Sequence, residues 1–308
     1  MNTNSLNRRE FLGAAAAGLA SAAAAQTLPY PIIDTHIHLF DPTRPQGVPW
    51  PSKDDKVLYQ PALPDRYRRI AQPLGITGAI EVECSPWPED NQWVLDVAAK
   101  DNIMVGTVGN LEPGKPEFRA QLERLHRNPL FLGIRYGNLW DRDLGVEIRK
   151  PEFVAGLKAL ADAGLVLDTA NQTTELLAAA LRVTDLVPNL RIVVDHLPQF
   201  AQPADANLRE LGKRPQVYVK ISEVLRRVNS KVPADLGFYR PKLDEIFGIF
   251  GEDRVLFGSD WPNSDNWAPY PQVFGIVREY FTAKGPAIAE KYFWKNSVSA
   301  YRWRKRSD

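Results

Sequence analysis

His36 and His38 stand one residue apart in the stretch Ile32-Ile33-Asp34-Thr35-His36-Ile37-His38-Leu39-Phe40. In an extended strand, residues i and i+2 point to the same side, so both imidazoles face one point. Such a pair can hold a metal ion or polarise a carbonyl. A chance HxH on a surface strand would need no partners elsewhere. The chain has only four histidines, and two are here. A third, His196, follows the apolar run Ile192-Val193-Val194-Asp195. Asp260 closes Val255-Leu256-Phe257-Gly258-Ser259-Asp260. A carboxylate beside histidines or a metal can take a proton from an attacking water, which makes Asp260 the candidate general base. Its bland alternative is a turn cap ahead of Trp261-Pro262. For His196 the alternative is a buried histidine bonded to backbone. His126 lies in a polar helical stretch and reads as solvated.

Two further charged residues end apolar runs. Glu83 follows Ala79-Ile80-Glu81-Val82, and Arg135 follows Phe131-Leu132-Gly133-Ile134. The planar fork of Arg135 suits a substrate carboxylate or hydroxyls. A salt bridge to Glu81 or Glu83 is an equal alternative. Trp261, with Trp87, Trp140 and Trp267, falls in a loop at or after a strand end, where an indole can face a sugar or aromatic ring. Simple loop packing competes with that reading. Cys84 is the only cysteine. No intrachain disulfide is possible, and with no histidine near it in sequence it reads as a small buried residue rather than a nucleophile.

These residues need a frame that brings strand ends together. After the HxH comes a long loop, Asp41 to Pro64, with six prolines and Trp50. A loop of that length is uncommon unless functional. Strand-like runs then recur at 79–83, 103–107, 131–135, 165–168, 192–195, 217–221 and 255–258. Amphipathic helical stretches lie between them, clearest at Asn91–Lys100, Pro151–Asp162 and Thr173–Val187. With the first strand this makes eight β/α units, which predicts a single-domain (β/α)₈ TIM barrel. A doubly wound sheet would call for a Gly-rich phosphate loop after the first strand, and none is present. A barrel carries its chemistry at the C-terminal ends of its strands. His36, His38, Glu83, Arg135, His196 and Asp260 all fall there.

HxH after the first strand, Val193-Val194-Asp195-His196 in the middle and Leu256-Phe257-Gly258-Ser259-Asp260-Trp261-Pro262 at the last strand resemble the amidohydrolase superfamily. More narrowly they are similar to its amidohydrolase-2 branch, with the sugar-lactone and pyrone-dicarboxylate lactonases, over residues 30 to 302. The resemblance implies a hydrolase acting through an activated water on a lactone or related ester of a sugar acid or carboxylated ring. It implies Asp260, His196, His36 and His38 as catalytic residues, and Arg135, Glu83 and Trp261 at the substrate. A divalent ion, zinc or manganese, would sit on His36, His38, His196 and Asp260, although some lactonases of this branch work without metal. The chain departs from the fuller pattern. Strand five ends in Leu167-Asp168-Thr169-Ala170-Asn171 without histidine, and strand four offers no lysine to bridge two metals. A mononuclear site at most is expected. Two alternatives follow: a mononuclear metal-dependent non-oxidative decarboxylase, which would need a strand-five histidine, and a non-catalytic sugar-binding barrel.

Asn7-Arg8-Arg9-Glu10-Phe11-Leu12-Gly13 resembles the twin-arginine export motif and precedes an alanine-rich run ending at Ala23-Ala24-Ala25. Residues 1–25 read as a cleaved signal peptide and 26–308 as the barrel, with the protein periplasmic or secreted through the twin-arginine machinery. The apolar run is short of the roughly 20 residues that a bilayer span needs, so no stable membrane anchor is expected. Lysine and arginine number 38 against 37 acids, a net charge of +1. A balance this even argues against nucleic acid and leaves a small molecule as the expected partner. Nothing in the sequence specifies an oligomeric state.

Overall fold

The computed structural model describes residues 28–170, 172–197 and 203–306. The expected export signal lies outside them. Eight strands form one sheet in sequence order: β1 (Ile33–Ile37), β2 (Gly78–Val82), β3 (Met104–Gly109), β4 (Phe131–Arg135), β5 (Val166–Asp168), β6 (Arg191–Val194), β7 (Val217–Ile221) and β8 (Val255–Phe257). Each neighbouring pair is parallel. The ring closes at its C-terminal end. His38 N–H donates to Trp261 O at 2.7 Å, and Asp260 N–H donates to His36 O at 2.8 Å. Thr35 Oγ1 adds a bond to Phe257 O at 2.6 Å. The architecture is the expected (β/α)₈ barrel.

Helices start where the sequence supplies a fixed φ or a cap. Proline opens Pro64–Ala71, Pro88–Ala99 and Pro151–Asp162, at a position whose N–H has no helical partner anyway. Thr173 caps Thr174–Leu186 by accepting from Leu176 N–H. Among the described residues, no helix is long and apolar enough to cross a membrane.

The core has two shells. Outward strand residues such as Ile192, Val194, Val217 and Val219 pack under the helices. Ile33, Ile80, Val82, Leu132, Val166, Val193 and Leu256 cluster with Ala300, Tyr301 and Trp303. The C-terminal helix Asn296–Tyr301 thus plugs the barrel floor. Asn296 Nδ2 holds the carbonyls of Glu252 and Val255, and Arg191 Nε holds Ala300 O.

β1 departs from strict alternation. Its register advances three residues between Asp34 and Ile37 while β2 advances two, from Ala79 to Glu81. An extra residue in one strand re-aims the side chains around it. Asp34 therefore turns out to the helices, accepting from Tyr67 Oη at 3.0 Å and Tyr270 Oη at 2.8 Å. His36, two residues on, turns into the barrel.

Candidate active site

β1 and the segments just past β1, β6 and β8 bring the histidines to Asp260. One carboxylate oxygen, Oδ1, lies 3.1 Å from His38 Nε2 and 3.5 Å from His36 Nε2. The other, Oδ2, accepts from Asn263 Nδ2 at 2.7 Å. The His36 ring centre is 5.0 Å from that of His38 and 4.5 Å from that of His196. All four side chains are buried. The HxH pair and Asp260 do meet, as strand-end placement predicts, and His196 joins them on the same side.

The backbone is bent to achieve this. His196 and Asp260 have φ of 65° and 62°, a left-handed conformation uncommon outside glycine. Strain of this kind is concentrated at functional sites. Gly258 permits the close pass of β8: a Cβ there would come within 2.9 Å of His36 Cβ. Ser259 N–H donates to Asp34 Oδ1 at 2.8 Å, tying β8 to β1 directly below the site.

Each ring is oriented from behind. His38 Nδ1–H donates to Val82 O at 2.7 Å, and His196 Nδ1 lies 2.9 Å from Ser222 Oγ. A carbonyl can only accept, so the His38 hydrogen sits on Nδ1 and Nε2 faces Asp260. Two lone pairs 3.1 Å apart repel, so that contact calls for a bridging proton or cation. Burial alone would push the Asp260 carboxyl up, but the surrounding histidines, His196 and His38 foremost, hold it well below the usual range. It is a carboxylate. Burial, reinforced by Lys220 and the other two histidines, pushes His36 well below the usual imidazole range, so that ring is neutral.

The donor set fits one divalent ion. His36 Nε2 is buried without a hydrogen-bond partner. Ligand-capable atoms of His36, His38 and Asp260 lie within 4.8 Å of one another. Two overlapping triads, His36/Asp195/His196 and His196/Glu223/Asp260, satisfy the same limit. The expected four-residue set is therefore divided, with His196 shared between the two further triads.

Glu83 and Arg135 face each other across β2 and β4. Arg135 Nε donates to Glu83 Oε1 at 3.1 Å, and Nη2 donates to Glu83 O. Trp140 Nε1 donates to Glu83 Oε2 at 3.1 Å, and so does Ser85 N–H at 3.0 Å. The ion pair is present, and the two residues are engaged with each other. Trp261, expected against substrate, is instead fully buried between the Tyr67 ring at 5.3 Å and the Arg66 guanidinium at 5.2 Å. Trp50, from the long loop, lies edge-on to His38 at 5.7 Å. Cys84 is buried, and burial pushes its thiol up, away from nucleophilic use. His126 is exposed on Phe118–His126, as expected.

Sequence reasoning passed over the interior of β5, β6 and β7. Lys220 Nζ lies 2.6 Å from Asp168 Oδ2, 2.9 Å from Asp195 Oδ1 and 3.2 Å from His36 Nδ1, with no solvent exposure. Burial lifts the Asp168 carboxyl, against the pull of Lys220. The available signal was a lysine inside the otherwise apolar run Val217-Tyr218-Val219-Lys220-Ile221. Glu223, just past β7 with φ 49°, was missed as well.

The chain is similar to known proteins. The chain is 29% identical over 243 residues to an L-fucono-1,5-lactonase of Burkholderia ambifaria, covering 75% of this chain and 80% of that one. It is 25% identical to a 4-sulfomuconolactone hydrolase of Rhizobium radiobacter, with 77% of each covered. An amidohydrolase of Burkholderia multivorans crystallised with zinc superposes with a TM-score of 0.78 at 22% identity, over 89% of this chain and all of that one. The amidohydrolase family model matches residues 33–303, from the first residue of β1 to just past the helix that plugs the floor. A match that spans the whole barrel and every strand end carrying the site makes this chain a member of the amidohydrolase family of hydrolases.

Proposed function

We propose that the protein hydrolyses a lactone, or a related ester of a sugar acid or carboxylated ring, by an activated water. The observation that carries this reading is Asp260: a buried carboxylate with one oxygen facing two imidazoles at 3.1 and 3.5 Å. In the proposed reaction a water beside Asp260 gives it a proton while the water oxygen attacks the lactone carbonyl carbon. His36 Nε2, buried without a partner, faces the oxyanion that develops. The ring C–O bond then breaks, and the proton on Asp260 passes to the departing alkoxide. The product is a hydroxy acid. His36, His38 and Asp260, with His196 beside them, would hold a divalent ion such as zinc or manganese, which when bound supplies Lewis-acid polarisation. The lactone-hydrolase names of the two relatives support an ester over an amide.

The decarboxylase alternative needs a histidine at the end of β5. That place is taken by Asp168, whose Oδ2 accepts from Lys220 and from Tyr301 Oη at 2.8 Å. The test is a panel of lactones offered to the mature protein with and without added zinc or manganese. Ring opening of at least one member is expected. Release of carbon dioxide from a carboxylated ring, or tight sugar binding with no turnover, would replace this reading. We further propose export by the twin-arginine route, from Arg8-Arg9 ahead of the alanine run. Arg8→Lys with Arg9→Lys should hold the precursor in the cytoplasm, and undiminished export of that double variant would exclude the route.

A further inference from the structure

Lys220 is an ammonium with no solvent and two carboxylates, Asp168 Oδ2 at 2.6 Å and Asp195 Oδ1 at 2.9 Å. An ammonium has only protons to offer. Its third neighbour, His36 Nδ1 at 3.2 Å, must therefore accept, and in a neutral imidazole the remaining hydrogen then sits on Nε2. His38 is set the other way by the Val82 carbonyl, with its hydrogen on Nδ1. We propose that Lys220 is a positioning residue that fixes the HxH pair in opposite senses: His36 presents an N–H to the site, and His38 presents a nitrogen able to take a proton or a cation.

Three observations support this. His36 Nε2 is buried without a partner, as a donor kept for an arriving oxygen would be. Asp168 is itself steadied by Tyr301 Oη at 2.8 Å, from the helix that plugs the floor. Lys220 Nζ lies 5.5 Å from the Tyr301 ring centre, which suits a cation over an aromatic face. A consequence follows for metal. A divalent ion takes His36 through Nε2 only if the hydrogen moves to Nδ1, toward Asp195 Oδ1 at 3.6 Å, and Lys220 gives up its bond. Lys220 and a metal ion thus compete for the state of one ring.

Assigning the His36 donor to a lactone carbonyl rests on the hydrolytic reading above, but the position of its hydrogen does not. The experiment reads that hydrogen directly, without substrate. Histidine side-chain ¹⁵N–¹H correlation spectra of the full chain, before and after chelation, should give His36 the Nε2–H pattern. Lys220→Met should convert it to the Nδ1–H pattern, and Lys220→Arg should restore it. Zinc affinity of Lys220→Met, measured by competition with a chromogenic chelator, should rise by about 10- to 100-fold, the range commanded by groups behind a ligating histidine. An Nδ1–H pattern for His36 in the chelated parent would overturn the proposal. So would a folded Lys220→Met whose zinc affinity is unchanged. If Lys220→Met does not fold, the parent spectrum decides alone. Failure of every lactone in the panel, with the Nε2–H pattern present, would sink the lactonase reading and leave the role of Lys220 standing.

Discussion

The seam between β1 and β8 and the wall formed by β2 and β4 are built from the same materials, buried carboxylates facing nitrogen. They use them in opposite ways. On the wall, Glu83 meets Arg135, Trp140 and Ser85, and both its oxygens are satisfied. Beside it, Glu81 is pushed well above the usual carboxyl range, by burial first and by the charge of Glu83 next. At the seam, Asp260 and His196 sit at left-handed φ, and His36 Nε2 has no partner. A buried polar group left unpaired costs free energy, and the wall carries one as well, at Glu81 Oε1. The wall closes on an ion pair, and the seam gathers three imidazoles on one carboxylate at strained backbone.

The largest effect that could break this contrast is at Asp260. Asp260→Asn keeps the shape and loses the proton acceptor. Its kcat should fall by about 10² to 10⁴ with KM and melting temperature close to the parent's. Steady-state kinetics beside a thermal melt decide it. Parental turnover in a normally folded variant would reduce Asp260 to a turn cap.

The wall should respond in the other currency. Arg135→Met leaves Glu83 with a buried charge and no cation. Breaking a buried pair typically costs about 3–5 kcal/mol of stability. Urea unfolding should show that loss, while the folded fraction keeps much of its kcat. A variant as stable as the parent but inactive would move Arg135 from the wall to the substrate.

The smallest effect sharpens the electrostatic side. His36 is neutral when folded, because burial, Lys220 and the other histidines lower its proton affinity. The unfolded chain takes that proton near the ordinary imidazole value of about 6.5. Below that pH the unfolded state binds more protons, so stability falls as pH falls, by at most about 1.4 kcal/mol per pH unit for this group. Urea midpoints at pH 7 and pH 5 should differ less in His36→Gln than in the parent. An equal difference in both would place the titration elsewhere.

The parts of this arrangement that could be read from the sequence share one property. Each stands where an apolar run stops. His36-Ile37-His38, Asp195-His196 and Ser259-Asp260 mark strand ends, and the barrel gathers strand ends. Lys220 was not legible because it lies within a run. Parallel strands buried on both faces carry no alternation to say which side a residue takes. The β1 bulge hid for a related reason: Asp34 and His36 have the same parity, yet one faces the helices and the other the site. For Glu83 and Arg135, side-chain types permitted both an ion pair and a substrate clamp. Their mutual distance establishes the ion pair. Trp261 bore the same ambiguity and came out as packing.

The helix that plugs the floor also sets a schedule. Synthesis delivers β1 and its histidines early, and domains begin to organise from the N-terminus. Yet Asp168, which steadies Lys220, takes its phenol from Tyr301, close to the last described residue. The earlier-made histidines of the site therefore wait for a helix that follows the eighth strand. A growing chain carries those histidines through the synthesis of all eight strands before the buried cation is locked in place behind them.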